Sequence, residues 1–421
     1  MKFHIMTIAA FIAAMINFSP VYGWSYPGSG SIALGGGGPG DVISSFDART
    51  LSMGGSSMAA AHGIAGVFYN PALLSLRQRR GVMVGGYGNF SSQVVTGGDK
   101  YRSASSNYNI PLVGAMLPMG NLRLALGYSK LFDMAYTSEN KTYTLGKPNT
   151  LKIENKGGPG RMILGASSKL FGKLNAGLSM NMIMGGSEGS VSEIKHEVSR
   201  ISLDTDRDLS GMFLQLGGVY SLKRDLAHIG LTFAPSYTMT DSWKGKATTS
   251  YWSSSKEEWG SPVEAEAKGK AELTMPSVLG LGIQYNFLGL DRTLITADIQ
   301  RTDWSSFRYE EKDASAAGYG DKINPNYRDT TRFSVGAEHY LNFTTAIRTG
   351  FSYEPFYGDR AVDQTSFTAG AGFELSRDMF LDLAGSIGYR TYSGANPFVL
   401  DEDKTVSESR GKLMASLEWL F

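Results

Sequence analysis

Side chains able to make or break covalent bonds are few in this chain, and badly spaced. Its five histidines stand at positions 4, 62, 196, 228 and 339. None forms the His-x-x-x-His spacing that sets two metal ligands on one helix face. There is no cysteine, which removes thiol nucleophiles, disulfides and a sulfur-linked lipid anchor. A serine hydrolase needs Ser and His in contact. Ser334 and His339 have opposite parity, so on one strand they point to opposite faces, and His228 reads as inward-facing. Pro27-Gly28-Ser29-Gly30 and the run Gly35 to Gly38 would cradle a phosphate only with a strand leading in and Lys-Ser/Thr behind. Both are missing, so this stretch reads as flexible linker. No catalytic residue, metal or cofactor is expected. Binding without bond-making is what remains. The residues that suggest it are Asn70-Pro71-Ala72, apolar and aromatic side chains in polar stretches, and charges inside alternating segments.

The elements that would position these groups are strands. Leu413, Ala415, Leu417, Trp419 and Phe421 alternate with Lys412, Met414, Ser416, Glu418 and Leu420. A period of two with one apolar face and an aromatic end is how the closing strand of an outer-membrane barrel reads. Composition agrees. The 421 residues include 52 Gly, 21 Tyr and 21 Phe, only 19% are charged, and the net charge is +1. Such a balance gives no pull toward nucleic acid.

Fourteen strand candidates follow, near 81–91, 108–118, 121–131, 160–171, 174–186, 210–222, 226–240, 274–287, 291–304, 330–342, 344–354, 365–376, 378–390 and 408–421. Short turns such as Pro118-Met119-Gly120-Asn121, Gly172-Lys173 and Arg377-Asp378 alternate with long polar segments at 92–107, 132–159, 187–209, 241–273, 305–329, 355–364 and 391–407. An even strand count with connections sorted by length is the plan of a bacterial outer-membrane barrel. A soluble sandwich has no reason to sort them. Arg332, Glu338, Arg348, Glu354, Glu374, Asp382 and Arg390 fall on inward positions, which implies a wet or plugged lumen, because bare buried charge is costly.

Lys2 and His4, an apolar run from Ile5 to Phe18, and Val21-Tyr22-Gly23 read as a secretory leader cut after Gly23. The organisation expected is a signal peptide over 1–23, a glycine-rich extension and N-terminal hatch over 24–80, and a transmembrane barrel over 81–421. Within the hatch, Asn70 suits a helix N-cap and Pro71 the first helical position. That predicts a short helix through Leu76, with Arg77, Arg79 and Arg80 at its C-terminal end.

The run from Arg49 through Met53-Gly54-Gly55 to Val67-Phe68-Tyr69-Asn70-Pro71-Ala72 resembles the hatch of the FadL/TodX family. Met275-Pro276-Ser277-Val278-Leu279-Gly280-Leu281-Gly282 and Arg332-Phe333-Ser334-Val335-Gly336-Ala337-Glu338 resemble it too. The stretch from Trp24 to Ser45 departs from the family pattern. The resemblance implies an all-β, 14-stranded antiparallel transmembrane barrel with a partly helical plug. It also implies passive transport of long-chain fatty acids or other hydrophobic compounds, with the hatch as gate and exit through a kinked strand. The implied partners are the hydrophobic ligand, outer-membrane lipid and lipopolysaccharide, and the assembly machinery through the C-terminal strand, for a monomer. A barrel that serves secretion or assembly without transport is the alternative, and an outer-membrane lipid hydrolase a third.

On that reading Asn70, Pro71 and Ala72 belong to the gate. Gly127 in the third strand and Pro235 in the seventh mark candidate lateral openings, since both residue types interrupt or thin a ladder; a plain bulge is the simpler account of Pro235. Ile194, Val198 and Ile201 have the i, i+4, i+7 spacing of one helix face and suggest either a greasy landing surface or a helix packed on the barrel rim. Trp243, Trp252 and Trp259, with Tyr251, are candidates for ligand capture. Arg332, Arg348 or Glu338 would pin the hatch at Asn70 or Arg77.

Overall fold

The computed structural model describes residues 41–421 apart from 61–62, 97–100, 145–146, 223–225, 256, 288–291, 315–321, 324–326, 358–362 and 397–398. The leader and most of the glycine-rich stretch therefore lie outside the described residues.

The wall is a closed, antiparallel barrel of fourteen strands. In order they are β1 (Gly81–Thr96), β2 (Tyr101–Met119), β3 (Leu122–Lys130, resuming as Tyr136–Thr144) and β4 (Lys147–Gly157 and Gly160–Phe171). Next come β5 (Leu174–Met184 and Gly186–Lys195), β6 (Ser199–Leu222), β7 (Ala227–Ala234 and Tyr237–Ser253) and β8 (Val263–Met275 and Val278–Phe287). The rest are β9 (Thr293–Thr302 and Arg308–Ala314), β10 (Thr330–Tyr340), β11 (Thr345–Pro355), β12 (Asp363–Ser376), β13 (Met379–Asn396) and β14 (Val399–Leu420). Closure is made by β1 and β14, paired from Gly81↔Leu420 to Thr96↔Thr405. It leaves no open edge in the hydrocarbon, where unpaired backbone groups would be expensive.

Alternation decides which face each residue takes. Leu214, Leu216, Leu231, Phe233, Leu279, Leu281 and Leu413 are exposed on the outside, while Ser179, Asn181, Thr232, Thr296 and Ser416 are buried inside. In water the first set would be a large apolar patch. In a membrane it is the lipid-facing belt. None of the described helices is long and apolar enough to span a bilayer; the strands cross instead.

The polar segments expected as loops are mostly strand. β4 to β9 run on above the belt as tall hairpins, with Ser199–Leu222 alone covering 24 residues. Asp204, Asp206 and Asp208 alternate there with Leu203, Thr205 and Arg207, so the period of two continues with charge outward. Ion pairs within and between strands stitch that outer face. Lys246 meets Glu264 at 2.9 Å, and Lys312 lies 3.0 Å from both Glu272 and Glu310. Lys156 and Lys152 hold the Glu154 carboxyl well below its usual range, at about 2.

The same finding overturns the helix expected at Ile194, Val198 and Ile201. Ile194 ends one arm of a hairpin, Val198 lies in its turn, and Ile201 begins the other arm, with Glu193↔Ile201 and Ile194↔Arg200 as partners. Ile194 and Val198 are exposed whereas Ile201 is buried, so the three share no face. Helical spacing arose by chance in a β-branched, serine-rich run, and Glu197 at φ 53° makes the turn.

Candidate functional site

Residues 43–60 and 63–74 are nearly all buried within the barrel and form its plug, at the place expected of the hatch. Its first helix, Ala48–Ser52, is capped by Asp47, which accepts from Thr50 N at 3.0 Å. Asn70 caps the next turn as expected, accepting from Ala72 N at 3.2 Å, and Pro71 opens a 3-10 helix over Pro71–Leu76. The Asn70 amide donates to Met58 O at 2.8 Å and to Gly218 O on the wall at 3.2 Å. The turn lies so close to the wall that a Cβ on Gly177 would meet Pro71 O at 2.7 Å.

Charge pins this plug through the expected wall residues Glu338 and Arg332, but they hold Arg49 and Gly54 instead of Asn70 or Arg77. The Arg49 guanidinium donates through Nε and Nη2 to both Glu338 oxygens at 2.9 Å and through Nη1 to Ala60 O at 2.7 Å. Arg348 joins the same carboxylate at 2.6 Å and reaches Asp382 at 2.6 Å. Arg332 donates to Gly54 O at 3.1 Å. Asn70 is not among these charge contacts, and Arg77 pairs with Glu418 at 3.8 Å instead. Removing one member of such a buried network strands the others and typically costs ~3–5 kcal/mol.

Above the hatch lies a cavity of about 320 Å³. Its floor is Phe46, Phe68 and Tyr69, and its sides include Phe132, Phe213, Tyr237, Met275 and Trp304. Polar lining comes from Gln300, Arg332, Glu354, Gln364, Arg390 and Lys412. Arg161 of β4 also faces this space. It is buried and donates to Ser129 Oγ at 3.0 Å, Asn181 Oδ1 at 3.2 Å and Phe68 O at 2.9 Å. Its guanidinium carbon lies 4.8 Å from the Phe46 ring centre, 5.6 Å from that of Phe68 and 6.0 Å from that of Phe213. Among the described residues it makes no ion pair, so this ring-covered cation keeps its net charge.

Beside the cavity the β2–β3 ladder lapses, while Leu131 N and Phe132 N still bond Pro159 O, between the two runs of β4, at 2.9 and 3.3 Å. Pairing of β2 with β3 ends at Leu112↔Ser129. Past Lys130 the chain turns inward, and Phe132 and Asp133 pair with hatch residues Val42 and Asp41. Ile43 N adds a bond to Leu131 O at 3.1 Å. Lys130 and Asp133 pair at 3.0 Å, and Asn89 donates to Asp133 at 2.9 Å. The interruption thus falls at Leu131 to Ala135 and not at Gly127. Gly127 sits in an intact ladder with Gly114 and Ile163, and its missing side chain makes room for the Phe68 ring.

Pro235 does break its strand, between Ala234 and Tyr237. The tryptophans expected to capture ligand stand on the tall hairpins. Trp252 and Trp259 pack edge to face at 5.4 Å, and Arg200 covers Trp259 at 4.1 Å. None of Trp243, Trp252, Trp259, Ile194, Val198 and Ile201 lines the cavity.

Residues 163–413 match the model of the outer membrane protein transport protein family (OMPP1/FadL/TodX). The chain belongs to that family. The FadL/TodX fold is matched in solved structures too. A Pseudomonas aeruginosa FadL homologue superposes with a TM-score of 0.68 at 14% identity, over 90% of this chain and 99% of that one. The Pseudomonas putida toluene transporter TodX gives 0.66 at 18%, over 91% and 100%. The Ralstonia pickettii toluene transporter TbuX gives 0.59 at 19%, over 90% and 99%. No curated protein sequence matches significantly. Within this FadL/TodX-family barrel, sequence reasoning missed Arg49 and Arg161. Arg49 could have been flagged as a cation amid small apolar residues of a plug. Arg161 opens a strand and gives no such signal.

Proposed function

We propose that the protein passes hydrophobic small molecules through the outer membrane, by way of the cavity above the hatch and the gap beside β3. The observation that carries this reading is the joining of three features in one place. A partly apolar cavity, a strand that leaves the wall, and the hatch strand Asp41–Val42 that fastens it all meet at Phe132. A ligand resting on the hatch needs only a small shift of residues 41–43 to reach the gap. No covalent step is involved; differential affinity and a movable plug suffice.

Arg161 favours a ligand with an acidic head and an apolar body, such as a long-chain fatty acid. The ring-covered cation offers charge complementarity, and Phe46, Phe68 and Phe213 offer apolar contact. Asn70, Pro71 and Ala72 act as the hatch's docking turn on the wall. Lipopolysaccharide surrounds the outer half of the monomer, and β14 is the strand offered to the assembly machinery.

The test is oleate uptake by proteoliposomes holding the full mature chain, alongside mass spectrometry of ligand co-purified from membranes. Uptake well above protein-free liposomes is expected. No uptake together with an empty cavity would overturn transport and favour an adaptor for secretion or assembly. Release of free fatty acid from added phospholipid would instead favour a hydrolase.

A further inference from the structure

A second interruption crosses the wall at β6 to β9. The β6–β7 pairing runs down to Gly211↔Met239 and resumes at Leu216↔Phe233. Between these points no backbone hydrogen bond joins the two strands among the described residues. Pro235, which has no N–H to give, lies in the gap. β8 breaks alongside it at Pro276 and Ser277, and β9 detours through the 3-10 turn Trp304–Ser306. The later seams keep polar stitches. Ser236 Oγ donates to Met275 O at 2.6 Å, and Ser277 Oγ to Asp303 Oδ2 at 2.8 Å. The β6–β7 gap has one such stitch at its lower end, Gln215 Nε2 to Thr232 Oγ1 at 3.0 Å, and is filled above it by two stacked rings, Phe213 and Tyr237, with centres 4.5 Å apart and planes 19° from parallel. Both rings line the cavity. Met212, Leu214 and Phe233 are exposed on the outer side of the same gap, while Thr238 and Thr240, exposed just above, are polar. The gap therefore lies at the upper edge of the lipid-facing belt.

We infer that the Phe213–Tyr237 stack is the shutter of a second side portal, which takes uncharged hydrocarbons between the cavity and the outer leaflet. A ladder of backbone hydrogen bonds would have to break in concert. A ring stack contributes only ~0.5–1.5 kcal/mol beyond its area and swings open one side chain at a time. The outer rim of this gap, Met212, Leu214 and Phe233, carries no charge, with Arg161 set on the cavity side, whereas the β3 gap is flanked by Lys130 and Asp133. The inference rests on the transport reading and adds to it a route and a ligand class.

The experiment uses the absence of native cysteine. A Phe213→Cys, Tyr237→Cys double variant of the full mature chain is placed in liposomes and bridged with a short, reducible bis-methanethiosulfonate. Bridging should cut naphthalene uptake at least threefold while leaving oleate uptake unchanged, and reduction should restore it. Equal naphthalene uptake before and after bridging overturns the portal. If the variant does not fold, wild-type protein is labelled with a photoreactive hydrocarbon. Label on Pro235 or Ser236, in the gap itself, supports the portal, and label confined to 131–135 overturns it. Failure of wild-type protein to take up either solute would instead sink the transport reading.

Discussion

Where β3 leaves the wall, the hatch holds it with backbone bonds: Asp41↔Asp133, Val42↔Phe132 and Ile43 N to Leu131 O. Between β6 and β7 the strands stay in the wall, but their ladder lapses and two aromatic rings take its place. Backbone bonds are directional and shared with the plug, so the first gap changes only when the hatch does. Ring contacts are local and tolerant of sliding, so the second is held less tightly, although Gln215 beside it donates to Tyr69 O of the hatch at 2.6 Å. The first gap has an ion pair and an amide at its edge; the second has an amide, Gln215, but no ion pair among the described residues. The two gaps we propose as exits thus differ in their seals, one closed by hatch backbone and the other chiefly by aromatic rings.

The largest effect should come from cutting the pin that holds the hatch. Glu338→Leu leaves Arg49 and Arg348 buried without their shared carboxylate, a loss of ~3–5 kcal/mol. Protease sensitivity of the segment before Gly81 should rise, and oleate flux should change, with naphthalene flux unaltered. Equal change in both fluxes would erase the contrast between the gaps. Next is Arg161→Met, which removes charge-assisted contacts worth ~1.5–3 kcal/mol. Oleate affinity should weaken tenfold or more by titration, and naphthalene affinity should hold; parallel losses would remove Arg161 as the head-group partner.

Ile43→Pro deletes one backbone bond at the β3 gap, about 1 kcal/mol. It should speed oleate release without altering naphthalene flux, as read by efflux from loaded liposomes. The smallest effect belongs to the tall hairpins. Glu154→Gln should shift stability by less than ~0.5 kcal/mol at neutral pH, because exposed pairs are screened. Since the Glu154 carboxyl is held down at about 2, its small contribution is present above the ordinary carboxylate range. It fades only as pH falls toward 2, and acid melting curves of the variant and wild type should converge there.

Much of the wall was legible because lipid exposure forces a clean period of two, as in Leu122, Leu124, Leu126 and Tyr128. The Asn70-Pro71 turn was legible because capping is local chemistry. The tall hairpins were hidden by their polarity: Asp204, Asp206 and Asp208 read as loop until alternation is followed without regard to hydropathy. The gap position was misplaced because glycine marks close approach as readily as interruption, and Gly127 serves Phe68. Arg49 and Glu338 could not be paired from sequence. They lie 289 residues apart and meet only through closure of the barrel.

Closure also sets an order of events. The hatch contacts the last strand directly, Ala48 N donating to Ser416 Oγ at 3.2 Å and Ile64 N to Glu418 at 3.3 Å, across separations of 368 and 354 residues. Contacts of such long range form late, because loop closure must come first. The seat of the plug is therefore complete only once β14 lies against β1, so laying the last strand finishes the wall and the seat of the plug together.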